Sequence, residues 1–285
     1  MEPIIIENVR DFDPEKTFDC GQCFRWDGCR GRVGGREVSL EYDAGTGLLR
    51  IHDPEPGEDG LAFWRRYLDL DRDYGEINGK LIGSGELYDP VMERAVDAGY
   101  GIRILNQDRW ETLISFIISQ NNNIPRIRKC IEGLCSVFGE FPSPMQLAEA
   151  TEEMLAPVRL GYRASYLIKT AEFIADEGYD EKTGSCRFLD NLAREEVSRD
   201  EAVEELRRLS GVGPKVAGCI ALFSLGKFDS FPLDVWMKRV MNRLYGIDEK
   251  DTAAMKEYAD EHFGAYGGIA QQYLFYYITH SEEVF

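Results

Sequence analysis

Hydrophobic and polar positions alternate in two different ways along this 285-residue chain. Over roughly the first 95 residues, the apolar positions form short alternating or β-branched runs that glycines and other turn residues separate. Such runs predict strands of an antiparallel sheet at Ile4–Ile6, Phe24–Trp26, Glu37–Tyr42 and Leu48–His52. Gly34–Gly35 and Asp43–Gly47 are predicted to be turns between successive strands.

Helical spacing dominates the remainder of the chain. Apolar positions first recur at helical spacing in Asp59–Leu70, and from about residue 100 onward most segments follow this period. The predicted helices there are Trp110–Ser119, Ile124–Phe138, Ala164–Glu177, Ser198–Leu209, Pro214–Leu225, Val235–Tyr245, Ala253–Phe263 and Ala270–His280. We therefore predict an α+β fold, with an antiparallel β-sheet domain in residues 1–95 and a mostly α-helical body in residues 96–285.

The composition excludes several classes of protein. With 44% hydrophobic and 12% aromatic residues the chain can build a core, which excludes a disordered protein. The sequence shows no signal segment and no apolar run of about 18 residues, so we expect neither export nor a membrane span. Seven scattered cysteines indicate a reducing environment. We expect an intracellular location: the cytoplasm or nucleoid of a bacterium, or the nucleus of a eukaryote.

A hairpin between two predicted helices, at about residues 200–225, gives the first functional signal. One helix is predicted to end at Leu209, Gly211–Gly213 forms the turn, and Pro214 begins the next helix. The glycines permit positive φ and close backbone approach, while unpaired amide groups at a helix start favour an anion. This is the physics of a helix–hairpin–helix that binds a DNA phosphate. The alternative is an ordinary helical hairpin with a glycine cap.

The distribution of charge supports a nucleic-acid ligand only locally. The net charge is −18, which for the whole chain argues against DNA. Residues 206–246, however, carry seven basic residues against two acidic ones, and residues 103–129 carry five against two. A basic face on an acidic protein is compatible with DNA binding. The alternative is a pair of solvated helix faces without a ligand.

Two residues near the hairpin indicate catalysis. Lys215 is predicted to lie in the first turn of a helix, where the dipole and any burial both favour the free amine, a nucleophile. Asp234 precedes the next helix and could stabilise positive charge on a sugar or manage protons at an amine. It could equally be a simple helix cap. The pair, more than either residue alone, indicates a catalytic site.

Several segments, taken in order, resemble one family of DNA repair enzymes. They are Gly21–Trp26, Phe63–Leu70, Ser115–Arg126, Leu160–Ala164, Gly211–Lys215, Pro232–Val235 and Gly268–Phe275. Together they resemble the 8-oxoguanine DNA glycosylase/lyase family of the helix–hairpin–helix/Gly-Pro-Asp superfamily. The resemblance runs nearly the whole chain and implies a twisted antiparallel sheet domain followed by helical domains.

The resemblance also implies an activity. The enzyme would flip 8-oxoguanine out of duplex DNA, cleave its N-glycosidic bond through a lysine Schiff base and nick the strand by β-elimination. Lys215 would be the nucleophile and Asp234 would stabilise the transition state. Its partner would be damaged double-stranded DNA, and we expect a monomer that needs no cofactor, no metal and no membrane.

The resemblance assigns further roles to matching positions. Gly21 would accept a hydrogen bond from N7–H of the lesion, and Gln271 would read the Watson–Crick edge. The residues that would line the base pocket are Cys219, Pro232 and Phe275. Asn121 would fill the gap left by the flipped base, Tyr162 would wedge into the stack, and Arg126 and Arg163 would contact the orphaned cytosine. Considered singly, these residues could equally be core, turn, loop or surface positions.

Some features depart from the family or suggest other chemistry. Trp236 stands where family members can carry a histidine, which puts a phosphate contact in doubt. The segment Tyr245–Thr252 is short, which puts the stringency for cytosine in doubt. Cys20, Cys23 and Cys29 resemble half of a zinc site, but no second cysteine or histidine pair follows at ligand spacing. Because no cysteine follows Cys219, the four-cysteine iron–sulfur cluster of related glycosylases is excluded.

Two alternative functions stay open at the level of sequence. One is a glycosylase of the same superfamily that acts on another damaged base. The other is a noncatalytic DNA-binding protein that uses the hairpin only to hold phosphate, which would leave Lys215 and Asp234 without a role.

Overall fold

The computed structural model describes residues 2–280. Its strands in chain order are β1 (Ile4–Ile6), β2 (Trp26–Asp27), β3 (Arg30–Val33), β4 (Arg36–Asp43), β5 (Leu48–His52), β6 (Tyr179–Asp180) and β7 (Ser185–Cys186). The contacts divide the chain into two units. The first unit comprises residues 2–106 and 228–280, and the second unit comprises residues 107–227. The domain boundary expected near residue 95 remains a prediction.

The helices of the described residues follow one another along the whole chain. In chain order they are α1 (Pro14–Asp19), α2 (Gly60–Tyr67), α3 (Tyr74–Ile82), α4 (Pro90–Gly99), α5 (Arg109–Ser119), α6 (Ile124–Phe138), α7 (Pro144–Ala148), α8 (Glu152–Leu155), α9 (Arg163–Gly178), α10 (Arg187–Leu192), α11 (Arg199–Leu206), α12 (Pro214–Ser224), α13 (Val235–Tyr245), α14 (Thr252–His262) and α15 (Gly267–His280). Three short 3₁₀ segments lie at Gly85–Leu87, Ala156–Val158 and Gly264–Tyr266.

An antiparallel sheet forms the N-terminal part of the first unit. Within the described residues it has five strands, in the order β1-β5-β4-β3-β2. Gly34 and Gly35 join β3 to β4 in a two-residue turn with φ values of 55° and 78°. Both values are positive, as the hairpin turn that matches strand twist requires, which is why glycine occupies both positions. This confirms the predicted turn.

The core of the sheet is built around Trp26. The indole lies 3.8 Å from the ring of Phe18 in a stacked arrangement, and its N–H donates a hydrogen bond to the Tyr67 hydroxyl at 2.9 Å. Gly31 pairs with Trp26 across β2 and β3, where a Cβ would lie 2.4 Å from the indole. Glycine at position 31 therefore lets the indole lie flat on the sheet.

One helix of the first unit is buried on nearly all sides. α15 packs against α4, and its residues Gly267–Leu274 are all buried. At Gly99 a Cβ would lie 2.7 Å from the Tyr273 ring, so the absence of a side chain permits the close approach of α4 and α15. A helix that is apolar on every face is expected at the centre of a unit. This position holds its side chains in fixed places.

The second unit is built around two similar helices. α5 and α12 are buried along most of their lengths and pack against each other. Phe116 of α5 stacks on Phe223 of α12, with the ring centroids 5.5 Å apart. α6 and α9 also pack against α5. The first turn of α12 and the C-terminal end of α5 are therefore anchored in one core.

The predicted α+β class and the mostly helical body are confirmed. β1, β5, α6 and α13 have the predicted bounds. The strand predicted at Phe24–Trp26 is wrong in its start, because the structure begins β2 only at Trp26. The helix predicted to end at Leu209 ends at Leu206, since Arg208 and Leu209 make turn bonds to residues three positions earlier. The helix predicted over Asp59–Leu70 ends at Tyr67.

Candidate functional site

The hairpin between α11 and α12 consists of a turn with a positive φ and a helix start that has no side-chain cap. Gly211 has φ 79°, and a Cβ there would lie 2.5 Å from the Tyr166 ring. Gly213 is the N-cap of α12, with φ −88° and no side-chain capping bond. Of these two glycines, Gly211 adopts the positive φ that glycine permits, and Gly213 does not. Because Gly213 brings no capping side chain, the first amide groups of α12 can bind an anion.

Lys215 lies in the first turn of α12 and is half-buried. Its ammonium nitrogen lies 5.3 Å from the centroid of the Phe116 ring, a cation–π distance. Within residues 107–227 no carboxylate pairs with this ammonium. Cys219 follows one turn later on the same side of α12 and is 4% exposed. The core of the second unit thus presents an amine and a thiol along one helix face.

Four residues predicted to contact DNA lie in or next to the loops that precede α6 and α9, with Arg126 in the first turn of α6 and Arg163 at the start of α9. Asn121 adopts φ 49°, a left-handed conformation that asparagine tolerates better than most residues, and donates from Nδ2 to the Tyr162 hydroxyl at 3.0 Å. The Arg163 guanidinium lies 4.5 Å from the centre of the Tyr162 ring and donates to the Gln120 carbonyl. Arg126 donates to the Arg159 carbonyl at 3.0 Å. Tyr162 remains 50% exposed.

Gln120 connects these loops to the hairpin, a role that the sequence did not suggest. Its side-chain amide donates to the Gly211 carbonyl at 2.8 Å and to the Ile117 carbonyl at 3.0 Å. Its own backbone carbonyl accepts from Arg163 Nε at 2.9 Å. One residue therefore holds both the turn of the hairpin and the loop that carries Asn121. A glutamine between an apolar helix and three asparagines gives no periodic signal, so this role becomes visible only in the folded chain.

The other predicted catalytic residue, Asp234, lies in the first unit and caps α13. Its Oδ1 accepts a hydrogen bond from the Met237 amide at 2.7 Å. The helix-cap interpretation is therefore correct for one carboxylate oxygen. Within the first unit no described residue donates to Oδ2, which leaves the second oxygen available to a ligand. Pro232, two residues earlier, is buried.

Gln271 and Phe275 lie one turn apart on α15. Gln271 is 6% exposed, and Phe275 is partly buried. The side-chain amide of Gln271 makes no hydrogen bond to any described residue of the first unit. The hydrogen-bonding capacity of this amide, which both donates and accepts, is therefore not used by those residues. This residue is therefore suited to a polar ligand.

Gly21 lies in a tight turn that buried side chains hold. It has φ 82°, and its carbonyl accepts no hydrogen bond within the described part of the first unit. Its neighbour Cys20 is 1% exposed, and burial raises the pKa of this thiol to about 12. Cys23 is also buried. Both cysteines belong to the core, and within residues 2–280 no three His, Cys, Asp or Glu side chains form a group that could hold a metal ion.

Several basic residues counted toward a DNA-binding face are either buried or paired with carboxylates. Lys227 is 8% exposed and donates to the carbonyls of Arg194 and Val197. Arg207 and Arg208 pair with Glu204 and Glu205 on their own helical turn. Arg103 is 3% exposed and donates to backbone carbonyls, and Arg109 pairs with Asp190. The basic surface is therefore smaller than the sequence suggested.

Trp236 and Arg239 form a partly exposed pair at the start of α13. Trp236 is 38% exposed, and the Arg239 guanidinium lies 5.1 Å from the centre of its ring. The neighbouring Val235 is 60% exposed. An aromatic ring with a cation against it can contact nucleic acid by stacking and by charge. Trp236 thus replaces the histidine that family members can carry, and Arg239 supplies a basic group in this turn.

Comparison with known proteins identifies the family. The model of the 8-oxoguanine DNA glycosylase N-terminal domain matches residues 4–113, and that of the HhH-GPD superfamily base excision DNA repair proteins matches residues 114–263. The chain belongs to the 8-oxoguanine DNA glycosylase family, within the HhH-GPD superfamily. N-glycosylase/DNA lyase OGG1 of Arabidopsis thaliana is 32% identical over 289 residues, which cover 91% of this chain and 75% of that protein.

Two further relatives fit the same family. A Clostridium acetobutylicum 8-oxoguanine glycosylase/lyase, solved with double-stranded DNA containing cytosine opposite 8-oxoG, has a TM-score of 0.85 and 36% identity. The match covers 97% of this chain and 94% of that one. A Saccharomyces cerevisiae N-glycosylase/DNA lyase is 39% identical over 161 residues, 52% of this chain but only 43% of that protein. In the described part of this glycosylase-family chain, no helix has both the length and the apolar character that a membrane span needs.

Proposed function

We propose that this protein removes 8-oxoguanine from duplex DNA and then cleaves the strand at the abasic site. The observation that carries the proposal is Lys215. The amine of Lys215 lies in the first turn of α12, directly after the hairpin, and no carboxylate of the same unit pairs with it. Membership of the 8-oxoguanine DNA glycosylase family supports the same activity. The protein would act as a monomer inside the cell, where genomic DNA is.

The first chemical step is a displacement at the sugar. The neutral amine of Lys215 attacks C1′, the N–C1′ bond forms, the bond from C1′ to the base breaks, and the base leaves with its electron pair and takes up a proton. Positive charge develops on the sugar ring as the base departs. The carboxylate of Asp234, held in place by its bond to the start of α13, stabilises that charge.

The second step uses the same lysine. After the sugar ring opens, the Lys215 nitrogen holds C1′ as a protonated imine. This cationic group acidifies the C2′ proton, which a water molecule takes up. The electron pair left on C2′ forms the C2′–C3′ double bond, and the bond from C3′ to the phosphate oxygen breaks as the phosphate leaves with its electron pair. Hydrolysis of the imine then returns the free amine. A single amine thus accounts for both base removal and strand cleavage.

The flipped base would contact residues from α12, α15 and the segment before α13. The amide of Gln271 can both donate to and accept from the Watson–Crick edge of a purine, and it makes no hydrogen bond to the described residues of its own unit. Phe275 and Cys219 would lie against the two faces of the ring, with Pro232 beside it. Gly21 would distinguish the lesion from guanine, since its carbonyl, which accepts no hydrogen bond within the described part of the first unit, can accept one from N7–H of 8-oxoguanine but meets a lone pair at N7 of guanine.

The loops of the second unit would contact the opposite strand. Asn121 would fill the space of the flipped base, and Tyr162 would insert beside it, as extrusion of a base requires. Arg126 and Arg163 would donate to the orphaned cytosine, for which guanidinium groups have suitable donors. The hydrogen bond between Asn121 and Tyr162 supports a joint action of these residues.

A panel of duplexes tests the proposed substrate. Single-turnover release of base is measured for 8-oxoguanine, 7-methylguanine and guanine, each opposite cytosine. We expect rapid release of 8-oxoguanine with strand cleavage and negligible release of the other two bases. Preferred release of 7-methylguanine would contradict the proposal in favour of an alkylation-specific glycosylase. Tight binding to the 8-oxoguanine duplex without release of any base would contradict it in favour of a noncatalytic DNA-binding protein.

A further inference from the structure

The turn before the sheet is tied to the last helix by a buried side chain. Gln272 of α15 is 2% exposed, and its amide nitrogen donates to the Cys20 carbonyl at 2.6 Å. The two residues are 252 positions apart. A buried carbonyl without a donor is unfavourable in free energy, because its hydrogen bonds to water are lost and not replaced. This bond therefore strongly favours one orientation of the turn.

A second buried glutamine fixes the other side of the same turn. Gln22 is fully buried and donates to the Thr17 carbonyl at 2.9 Å and to the Arg103 carbonyl at 2.8 Å. Its side-chain oxygen accepts from the Leu105 amide at 2.9 Å. Both the donor and the acceptor capacity of this amide are therefore used inside the first unit. Gly21 lies between two anchored neighbours.

Without these two anchored neighbours, Gly21 would have the greatest backbone freedom in the turn. Gly21 has no side chain to restrict it and adopts φ 82°. The peptide unit between Cys20 and Gly21 is planar, so a bond to the Cys20 carbonyl also orients the amide that begins Gly21. With Gln22 held as well, little rotation remains for the Gly21 carbonyl. Of these two successive carbonyls, that of Cys20 is bonded to Gln272, and that of Gly21 accepts no hydrogen bond within the described part of the first unit.

α15 carries adjacent glutamines with different contacts. Successive side chains on a helix point about 100° apart. Gln272 turns toward the Cys20 carbonyl, whereas the amide of Gln271 makes no hydrogen bond to the described residues of its unit. The helix is buried and rigidly packed. One backbone segment therefore sets the position of the Gln271 amide and, through Gln272, that of the Gly21 turn.

We propose that Gln272 is a positioning residue for lesion recognition: by holding the Cys20 carbonyl, it aims the Gly21 carbonyl at N7–H of 8-oxoguanine. The inference rests on the proposed function and deepens it. Gln272 itself touches no base. Its effect is on the choice between 8-oxoguanine and bases that lack the N7–H donor, and it leaves the chemistry of Lys215 unchanged.

The test combines a protein variant with a modified base. Gln272→Met keeps a similar side-chain length and removes the donor. Single-turnover excision is measured for 8-oxoguanine and for an 8-oxo analogue that cannot donate from position 7. In the unmodified protein the lesion should be preferred by about tenfold to a hundredfold, the value of one unmade buried hydrogen bond. In Gln272→Met the preference should fall to about threefold or less, mainly through slower lesion excision.

Two controls separate positioning from a general loss of structure. Cleavage of a preformed abasic site needs no base recognition, so Gln272→Met should retain it, whereas a misfolded variant would lose it. Ile278→Val removes a buried methyl group from the same helix, where Ile278 is 4% exposed. This change should lower thermal stability and leave the lesion preference unchanged. If Gln272→Met does not fold, Gln272→Asn retains the amide but shortens its reach and takes its place.

The outcomes distinguish this inference from the proposed function. A preference that survives intact in a folded Gln272 variant would overturn the positioning role alone. An unmodified protein that excises the lesion and the analogue equally fast would overturn both recognition by Gly21 and the role of Gln272. An unmodified protein that releases no 8-oxoguanine at all would overturn the proposed function itself. Loss of preference with abasic-site cleavage retained would support the inference.

Discussion

At the scale of single residues, structural and chemical roles coincide in one side chain. Asp234 was expected either to cap a helix or to stabilise charge, and the structure shows that capping uses one oxygen only. Capping fixes the carboxylate, and a fixed charge stabilises a transition state better than a mobile one, because little reorganisation is needed. The helix cap is therefore part of the proposed catalytic role and does not argue against it.

Replacement of this carboxylate separates the two roles. We expect Asp234→Asn to slow 8-oxoguanine excision by at least ~100-fold, because the charge is lost while the amide oxygen can still cap α13. Thermal unfolding should change little. Asp251→Asn is a matched control, since Asp251 caps α14 through an equivalent bond to the Ala254 amide at 3.0 Å. Near-normal single-turnover excision by Asp234→Asn would show that its carboxylate is only structural.

The sequence predicted individual site residues unevenly. Lys215 and Asp234 could be selected because a helix start, a glycine turn and a carboxylate each have a recognised chemical meaning. Gln120 and Gln272 could not, because their importance depends on carbonyls 91 and 252 residues away. A glutamine has no local preference that signals such a bond. The sequence pattern therefore could not predict the residues that position the site.

At the scale of elements, the hairpin shows that its two glycines have different purposes. Gly211 needs both its positive φ and the absence of a Cβ, because the Tyr166 ring is in contact. Gly213 has an ordinary negative φ, and no heavy atom lies within 4 Å of where a Cβ would be, so the fold itself does not require glycine there. The space beside Gly213 is consistent with close approach of a phosphate.

This difference predicts that the same substitution affects stability strongly at Gly211 and little at Gly213. Gly211→Ala should lower the free energy of unfolding by about 2 kcal/mol or more, because a strained φ adds to a clash with Tyr166. Gly213→Ala should change the stability by less than about 0.5 kcal/mol and serves as the matched control. Chemical denaturation of both variants measures this. Equal stability of the two variants would contradict the proposed conformation of the hairpin.

The helices that the sequence missed all have ten residues or fewer: α1, α3, α4, α7, α8 and α10. α1 and α4 are short, and each begins with an aspartate cap followed by proline, at Asp13–Pro14 and Asp89–Pro90. These start signals were present in the sequence, but the apolar period over so few residues was too weak to count. Longer helices such as α6 were predicted with their observed bounds. Capping signals would have improved the prediction more than periodicity did.

At the scale of the whole molecule, the main question is how a protein of net charge −18 binds DNA. Two of the twelve basic residues in the two basic segments, Lys227 and Arg103, are buried and donate to backbone carbonyls. The exposed guanidinium of Arg126 and that of Arg239 are among the groups that remain available at the surface. Binding would therefore depend on a few well-placed cations within a repulsive field.

The dependence of DNA affinity on salt concentration measures how many cationic side chains contact phosphates. We expect duplex affinity to fall about tenfold or more between 50 and 200 mM salt, because even a few phosphate contacts release counterions. Arg126→Gln should weaken binding and flatten this dependence. Lys182→Gln, at an exposed turn between β6 and β7, should leave it unchanged. Fluorescence anisotropy provides the measurement, and an affinity independent of salt would contradict a basic DNA-binding surface.

The central claim is that the Lys215 amine forms a covalent bond to the sugar. The most direct measurement is borohydride trapping on a duplex with 8-oxoguanine opposite cytosine, followed by peptide mapping of the adduct. We expect a reduced protein–DNA adduct on the peptide that contains Lys215, and no adduct for Lys215→Gln although that variant still binds the lesion duplex. An adduct of undiminished yield in Lys215→Gln, or one that maps to another residue, would contradict it.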